Sequence, residues 1–207
     1  MSLLPWTIYL SLAGALLCLV AGARSAAAAR WIALATAAAG WGLTLTAACH
    51  FVPLAHLQNV ADAAWIPRLG IRYHLAVDGI SLTLLVLTGL AAIAAVLFSW
   101  NVAERTGEFF AFFLTLIAGV YGVFLSADLF LFFVFYEIAI VPKYFLIAIW
   151  GSTNREYGAM KLALYSFAGS ALVPLVALMF AFGLWPQLLV GLINPLVSRW
   201  TGGPALP

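Results

Sequence analysis

The chain has 207 residues, of which 66% are hydrophobic and 8% charged, and its mean hydropathy is +1.11. Soluble domains carry far more charge, so the composition excludes a soluble protein and predicts an integral membrane protein that lies almost entirely in lipid. The formal net charge is +2 and the sequence has no basic cluster, so nucleic acid is not an expected partner.

Six apolar segments are long enough to cross a membrane, since a spanning helix needs about 20 residues. The runs are too long and alternate too little for the strands of a barrel, and backbone groups must be paired within lipid, so the segments are predicted to be helices. No Lys or Arg precedes the first segment, which predicts a retained span rather than a signal peptide. The fold class is therefore all-α, with about six transmembrane helices. They cover residues 3–22, 31–52, 79–100, 109–127, 129–150 and 161–184.

The connections between the spans predict their arrangement. Residues 53–78 form the only long connection and are expected at the membrane surface. The turn at 126–128 is very short, which makes the fourth and fifth spans an antiparallel hairpin, and Asp128 is placed to cap the fifth helix. A small excess of Lys and Arg on one side puts both termini outside the cytoplasm. Beyond Trp185 the apolar run is too short to span and is interpreted as an interfacial tail.

The histidines and cysteines predict no metal site. His50, His56 and His74 fall in or beside one loop, without the spacing that zinc ligands show. Cys18 and Cys49 lie in or at the ends of apolar spans and form no CxxC motif, so both are interpreted as packing residues.

The fifth span carries a carboxylate near its middle. Glu137 follows Asp128 by nine residues, which is about 14 Å along a helix and close to the midplane of a hydrocarbon core about 30 Å thick. A charged carboxylate there costs about 2.5 to 3.5 kcal/mol on insertion scales, and desolvation favours its protonated form. A group whose charge depends on its surroundings suits a proton relay. The alternative is a protonated glutamate that hydrogen-bonds to a neighbouring helix.

Pro142 lies in the same span and bears on the same site. A proline inside a helix removes one backbone hydrogen bond and presses against the carbonyl four residues earlier, here that of Ile138, next to Glu137. A freed carbonyl beside a buried acid is a place where water can enter. The simpler explanation is that prolines are frequent in membrane helices.

Two lysines are weaker candidates for proton transfer. Lys143 follows Glu137 by six positions, about 240° around a helix, so the two do not share a face. Its ammonium group is expected to snorkel towards the cytoplasmic end of the span. Lys161, at the start of the sixth span, is by position an ordinary interface lysine.

Several motifs, taken with their order and spacing, resemble the subunit M (chain 4) family of the proton-pumping NADH:quinone oxidoreductase, complex I. The family fold has about fourteen helices around two inverted repeats, so the resemblance implies a partial antiporter-like subunit. The motifs are YHLAVDGISL at 73–82, GVFLSADLFLFFVFYE at 122–137, IVPKYFLIAIWG at 140–151 and KLALYSFAGS at 161–170.

The resemblance also implies roles and partners. The central proton-handling glutamate of the family falls on Glu137. No cofactor is expected in this chain, because NADH, flavin, iron–sulfur clusters and quinone are handled elsewhere in the parent complex. The expected surroundings are the lipid bilayer and the other membrane-arm subunits, in a bacterial inner membrane. The chain would then be a component of a proton-translocating enzyme without a redox site of its own.

Departures from the family pattern leave alternatives open. Lys143 stands where members often have Met, and Ile117 where they often have an acidic residue. Residues 1–170 resemble the N-terminal part of the family, whereas 171–207 resemble its last helix and tail, so the seventh helix with its lysine and the second repeat are missing. The alternatives to a pumping subunit are an internally deleted, non-pumping remnant, a structural membrane subunit, and a cation/proton antiporter subunit.

Overall fold

The computed structural model describes residues 3–52, 57–67 and 71–184, without the side chains of 171 and 173–184. Of the described residues, those up to 166 form one compact unit and residues 167–184 belong to a second unit. The described residues form six α-helices and one two-stranded sheet. These are α1 (Pro5–Gly22), α2 (Ala26–Cys49), β1 (Gln58–Ile66), β2 (Ile71–Val77), α3 (Gly79–Phe98), α4 (Thr106–Leu125), α5 (Leu129–Trp150) and α6 (Arg155–Leu184).

Five of these helices, α1 to α5, are long and apolar enough to cross a membrane. The sixth predicted span lies within α6, which has 30 residues. The prediction of a helical multi-pass membrane protein is therefore confirmed. The interfacial tail predicted beyond Trp185 lies outside the described residues.

Three helices begin earlier than hydropathy predicted. The α2 helix begins at Ala26, five residues before the predicted span, because the Ser25 hydroxyl caps it by accepting a hydrogen bond from Ala28 N–H at 3.4 Å. Likewise α4 begins at Thr106 and α6 at Arg155. Hydropathy marks only the most apolar part of a helix, whereas the first turns of α4 and α6 are polar and that of α2 consists of alanines followed by Arg30.

The α4 helix is the centre of the bundle, with half of its spanning residues buried. Glycines let its neighbours approach closely, as small residues do in membrane helices. A Cβ atom on Gly22 of α1 would lie 2.3 Å from the Cα atom of Gly107. Further along α4, a Cβ atom on Gly122 would lie 2.2 Å from the ring of Phe135 in α5.

The long connection contains an antiparallel hairpin that the sequence did not predict. β1 pairs with β2, with Asp62 opposite His74. The Arg72 guanidinium pairs with the Asp62 carboxylate at 2.8 Å across the strands. β1 is largely exposed, as expected for a surface segment, but the end of β2 at 75–77 is buried. The hairpin also contacts the turn between α4 and α5, where Ala127 N–H donates to the His74 carbonyl at 2.9 Å.

Candidate functional site on the fifth helix

The start of α5 is fixed by the side chain predicted to cap it. The Oδ1 atom of Asp128 accepts hydrogen bonds from Phe130 N–H at 2.8 Å and Leu131 N–H at 3.1 Å. This satisfies two of the donors that a helix N-terminus leaves unpaired. The prediction of a tight α4–α5 turn is confirmed, since α4 ends at Leu125 and α5 begins at Leu129.

The end of α5 is held against α4 by aromatic contacts and against the residues that precede α4 by one hydrogen bond. The indole Nε1–H of Trp150 donates to the Glu104 carbonyl at 2.8 Å, and its ring meets that of Phe109 edge to face at 5.3 Å. The rings of Phe112 and Phe145 stack at 5.1 Å. Phe145 and Trp150 of α5 thus pack on Phe109 and Phe112 of α4.

Glu137 lies on the side of α5 that faces away from α4. Phe135 and Ala139 contact Gly122 and Gly119 of α4, respectively, so they mark the face that packs on it. At 100° per residue, Glu137 lies about 200° around the helix axis from Phe135, two residues earlier, and Ala139 lies about 200° further on, two residues later. The carboxylate therefore projects from the opposite face, and it is half-buried.

Most of the α5 surface lies outside the core of the bundle. Only 17% of its spanning residues are buried, compared with 50% for α4. In soluble proteins so apolar a helix would be covered, whereas here the partner is lipid or another membrane helix.

Pro142 and Lys143 occupy different surroundings on α5. The helix runs without interruption from Leu129 to Trp150, and Pro142 is buried within it. Lys143 is exposed. Because the helix is continuous, the angular separation of about 240° from Glu137 holds, and the two side chains leave the helix on different faces.

Lys161 lies on α6 between two aromatic rings. Its ammonium Nζ is 5.8 Å from the ring centroid of Tyr157 and 5.8 Å from that of Tyr165, one turn before and one turn after it. Such contacts stabilise an exposed ammonium group. Since α6 begins at Arg155, Lys161 is in the second turn of the helix rather than at its start.

Sequence reasoning missed one local feature near this site. Asp78 and Ser81 form a capping box at the start of α3, in which Asp78 Oδ1 accepts from Ser81 N–H at 2.7 Å and Ser81 Oγ accepts from Asp78 N–H at 3.1 Å. The spacing of a capping residue and a hydroxyl three positions later is present in the sequence and could have indicated it. The Ser81 hydrogen bonds hold the pKa of Asp78 below its usual value.

The described residues contain no group of three or more His, Cys, Asp or Glu side chains that could hold a metal ion. His74 Nε2 donates to the Asn59 side-chain oxygen at 2.8 Å, and His50 Nδ1 donates to the Thr46 carbonyl at 2.8 Å. His56 lies outside the described residues.

Comparisons with known proteins agree on one family. Residues 126–191 match the family model described as NADH:quinone oxidoreductase/Mrp antiporter, TM. The NADH-quinone oxidoreductase subunit M of Escherichia coli K12 is 39% identical over 206 residues, which cover 88% of this chain and 40% of that protein. The subunit M of Pseudomonas aeruginosa is 41% identical over 194 residues, covering 86% of this chain and 38% of that protein.

A solved structure shares the fold. Respiratory complex I from Thermus thermophilus superposes with a TM-score of 0.71 at 23% identity, over 89% of this chain and 36% of the matched chain. The chain spans about 40% of the length of the curated relatives that it matches. Its apolar helices and bacterial relatives make it a multi-pass protein of the bacterial inner membrane. The chain is thus a homologue of the subunit M (chain 4) family of NADH-quinone oxidoreductases, over the part of that family that it spans.

Proposed function

We propose that the chain forms part of an antiporter-like subunit in the membrane arm of complex I. In that role Glu137 accepts and releases protons during translocation coupled to electron transfer from NADH to quinone. The observation that carries the proposal is the position of Glu137, near the middle of a spanning helix and on the face opposite to α4. Ionisable groups at this depth are costly and usually serve transport.

The proposed partners are the other membrane-arm subunits and the helices that complete the antiporter fold. One carboxylate cannot connect both faces of a membrane, so further groups must lie on each side of Glu137. The side of α5 that faces away from α4 is where such helices would pack, since α5 is the least buried of the five spans. The flavin, iron–sulfur and quinone chemistry would be carried by other subunits of the complex.

The first experiment identifies what the chain assembles with. An affinity tag on the chain in its own host, gentle solubilisation, and native electrophoresis with mass spectrometry would identify the partners. Co-migration with complex I subunits is expected. A chain that purifies without any of them would contradict the assignment.

The second experiment tests Glu137 in the assembled complex. Glu137→Gln removes the titratable group at nearly constant size, and proton pumping is compared with NADH oxidation in the same membrane vesicles. We expect assembly to persist and pumping to fall. Unchanged pumping in an assembled complex would assign the chain a structural role instead. Glu156→Gln is the matched control, because Glu156 is an exposed carboxylate in the first turn of α6.

A further inference from the structure

A groove runs between α1 and α4 near the end where Gly22 and Gly107 bring the two helices together. Its volume is about 460 Å³, within the range of about 300 to 1,000 Å³ that is typical of ligand pockets. Its walls are almost entirely apolar. They are formed by Leu12, Ala15, Leu16 and Leu19 of α1 and by Glu108, Ala111, Phe112 and Thr115 of α4.

A smaller pocket with both polar and apolar lining adjoins the groove at the ends of the helices. This second pocket, of about 140 Å³, shares Leu19 and Glu108 with the groove and adds Arg105 to its lining. Thr115 adds no free donor to the apolar part, because its hydroxyl donates to the Ala111 carbonyl at 2.8 Å. The apolar groove thus leads to a charged mouth at the membrane interface.

Two opposite charges lie side by side at this mouth. Arg105 Nε donates to Glu108 Oε1 at 3.0 Å, and the side chains are 57% and 39% exposed. Arg105 Nη2 also donates to Glu108 Oε2, so the pair is bidentate. Both side chains nevertheless remain exposed to solvent, where an ion pair is screened and a charged headgroup can reach each group. Arg105 also has a φ of 50°, in the left-handed region. Non-glycine residues in that region are strained and occur preferentially at functional sites.

We propose that this groove binds a zwitterionic phospholipid with a primary ammonium group, of the phosphatidylethanolamine type. One acyl chain would lie along the apolar walls, the phosphate against Arg105 and the ammonium against Glu108. The adjacent positive and negative side chains match the two charges of such a headgroup. An anionic headgroup such as phosphatidylglycerol matches Arg105 but leaves Glu108 facing a like charge. In the orientation that the Lys and Arg distribution predicts, the site lies in the cytoplasmic leaflet.

Native mass spectrometry of the full chain tests the headgroup preference. The purified chain in mild detergent is offered equal amounts of phosphatidylethanolamine and phosphatidylglycerol. Wild-type protein should retain the ethanolamine lipid several-fold more than the glycerol lipid. Glu108→Gln should abolish the preference, and Arg105→Gln should lower the retention of both lipids. Equal retention of the two lipids by the wild type would overturn the proposal.

A second pair of variants tests the groove itself. Leu16→Trp fills the apolar part, whereas Leu17→Trp places the same side chain on a neighbouring residue that is exposed but does not line the groove. Lipid retention should be lost only in Leu16→Trp, and equal retention in the two variants would contradict the site.

A photoactivatable phosphatidylethanolamine labelled in its acyl chain gives a measurement on the unaltered protein. Adducts should map to residues 12–19 and 111–115. Adducts found only elsewhere, or a protein segment crosslinked in the groove in their place, would refute lipid binding there.

Discussion

Gly119 of α4 lies directly against the backbone of Ala139 in α5, two residues beyond Glu137. A Cβ atom on Gly119 would be 2.6 Å from the Ala139 backbone nitrogen. A flexible side chain could move away from such an atom, but a helix backbone cannot without shifting the whole helix. The contact therefore fixes how α5, and with it Glu137, is positioned against the centre of the bundle.

Gly119→Ala should destabilise the protein because it forces these two helices apart. Overpacking of this kind costs about 1 to 3 kcal/mol, so the thermal unfolding temperature in detergent should fall clearly. Gly42→Ala is the control, since a Cβ atom on Gly42 of α2 meets nothing within 4 Å. Alanine favours a helix over glycine, so that control should be unchanged or slightly more stable. Equal unfolding temperatures for the two variants would contradict the close contact.

The capping box of α3 predicts a stability that depends on pH. The pKa of Asp78 is lowered by the Ser81 hydrogen bonds, so the charged carboxylate stabilises the folded state. This contribution is complete above the ordinary pKa of 3.8 and is lost as the pH falls through the lowered value in the folded protein. Thermal unfolding measured between neutral pH and about pH 3 should show the decline.

Two substitutions separate the cap from its charge. Asp78→Asn keeps a capping oxygen without a titratable group, so it should remove the part of the decline due to Asp78. Asp78→Ala removes the cap and should cost about 1 kcal/mol at neutral pH. An Asn variant with the same pH profile as the wild type would show that Asp78 is not responsible.

Lys143→Met should leave assembly and proton pumping unchanged. Lys143 is exposed and leaves α5 on a different face from Glu137, and methionine has a similar length and suits apolar surroundings. The measurement is the yield of assembled complex and its pumping rate, beside Glu137→Gln prepared in parallel. A loss of assembly in Lys143→Met would show that the ammonium group pairs with a neighbouring subunit.

Lys161 should stabilise the protein through its contacts with the aromatic rings and should take no part in proton transfer. Lys161→Arg retains a cation between Tyr157 and Tyr165, and its stability should stay close to that of the wild type. Lys161→Gln removes the cation and should cost about 0.5 to 1 kcal/mol, as for an exposed cation–π contact. Both variants should pump normally when assembled. Normal assembly with lost pumping in the glutamine variant would instead make Lys161 part of the relay.

The sequence alone was sufficient to predict structural features that depend on residues close together in the chain. Hydropathy correctly predicted the five spans. Asp128 correctly predicted the start of α5, because helix capping is an interaction between residues close together in the chain. The β1–β2 hairpin was missed since β1 is mostly exposed and shows no apolar alternation, so only its pairing with β2 defines it as a strand.

The direction of Glu137 could not be predicted from α5 alone. Helical periodicity relates Glu137 to Phe135 and Ala139, but the sequence does not say which face another helix covers. That information comes from Gly119 and Gly122, which lie on α4 and meet these two residues only in three dimensions. Its depth in the membrane, in contrast, followed from counting residues after Asp128.

Asp128 links two elements through one carboxylate. Its Oδ1 atom caps α5, while its Oδ2 atom accepts from Arg72 N–H of the hairpin at 3.4 Å. The opposite end of α5 is held by Trp150 on the Glu104 carbonyl. Between these two anchors, Pro142 lacks the amide hydrogen that would stiffen the middle of the helix. A helix held at both ends and weakened between them bends more readily than it slides or rotates. Bending of α5 is therefore the backbone movement that we expect to displace Glu137.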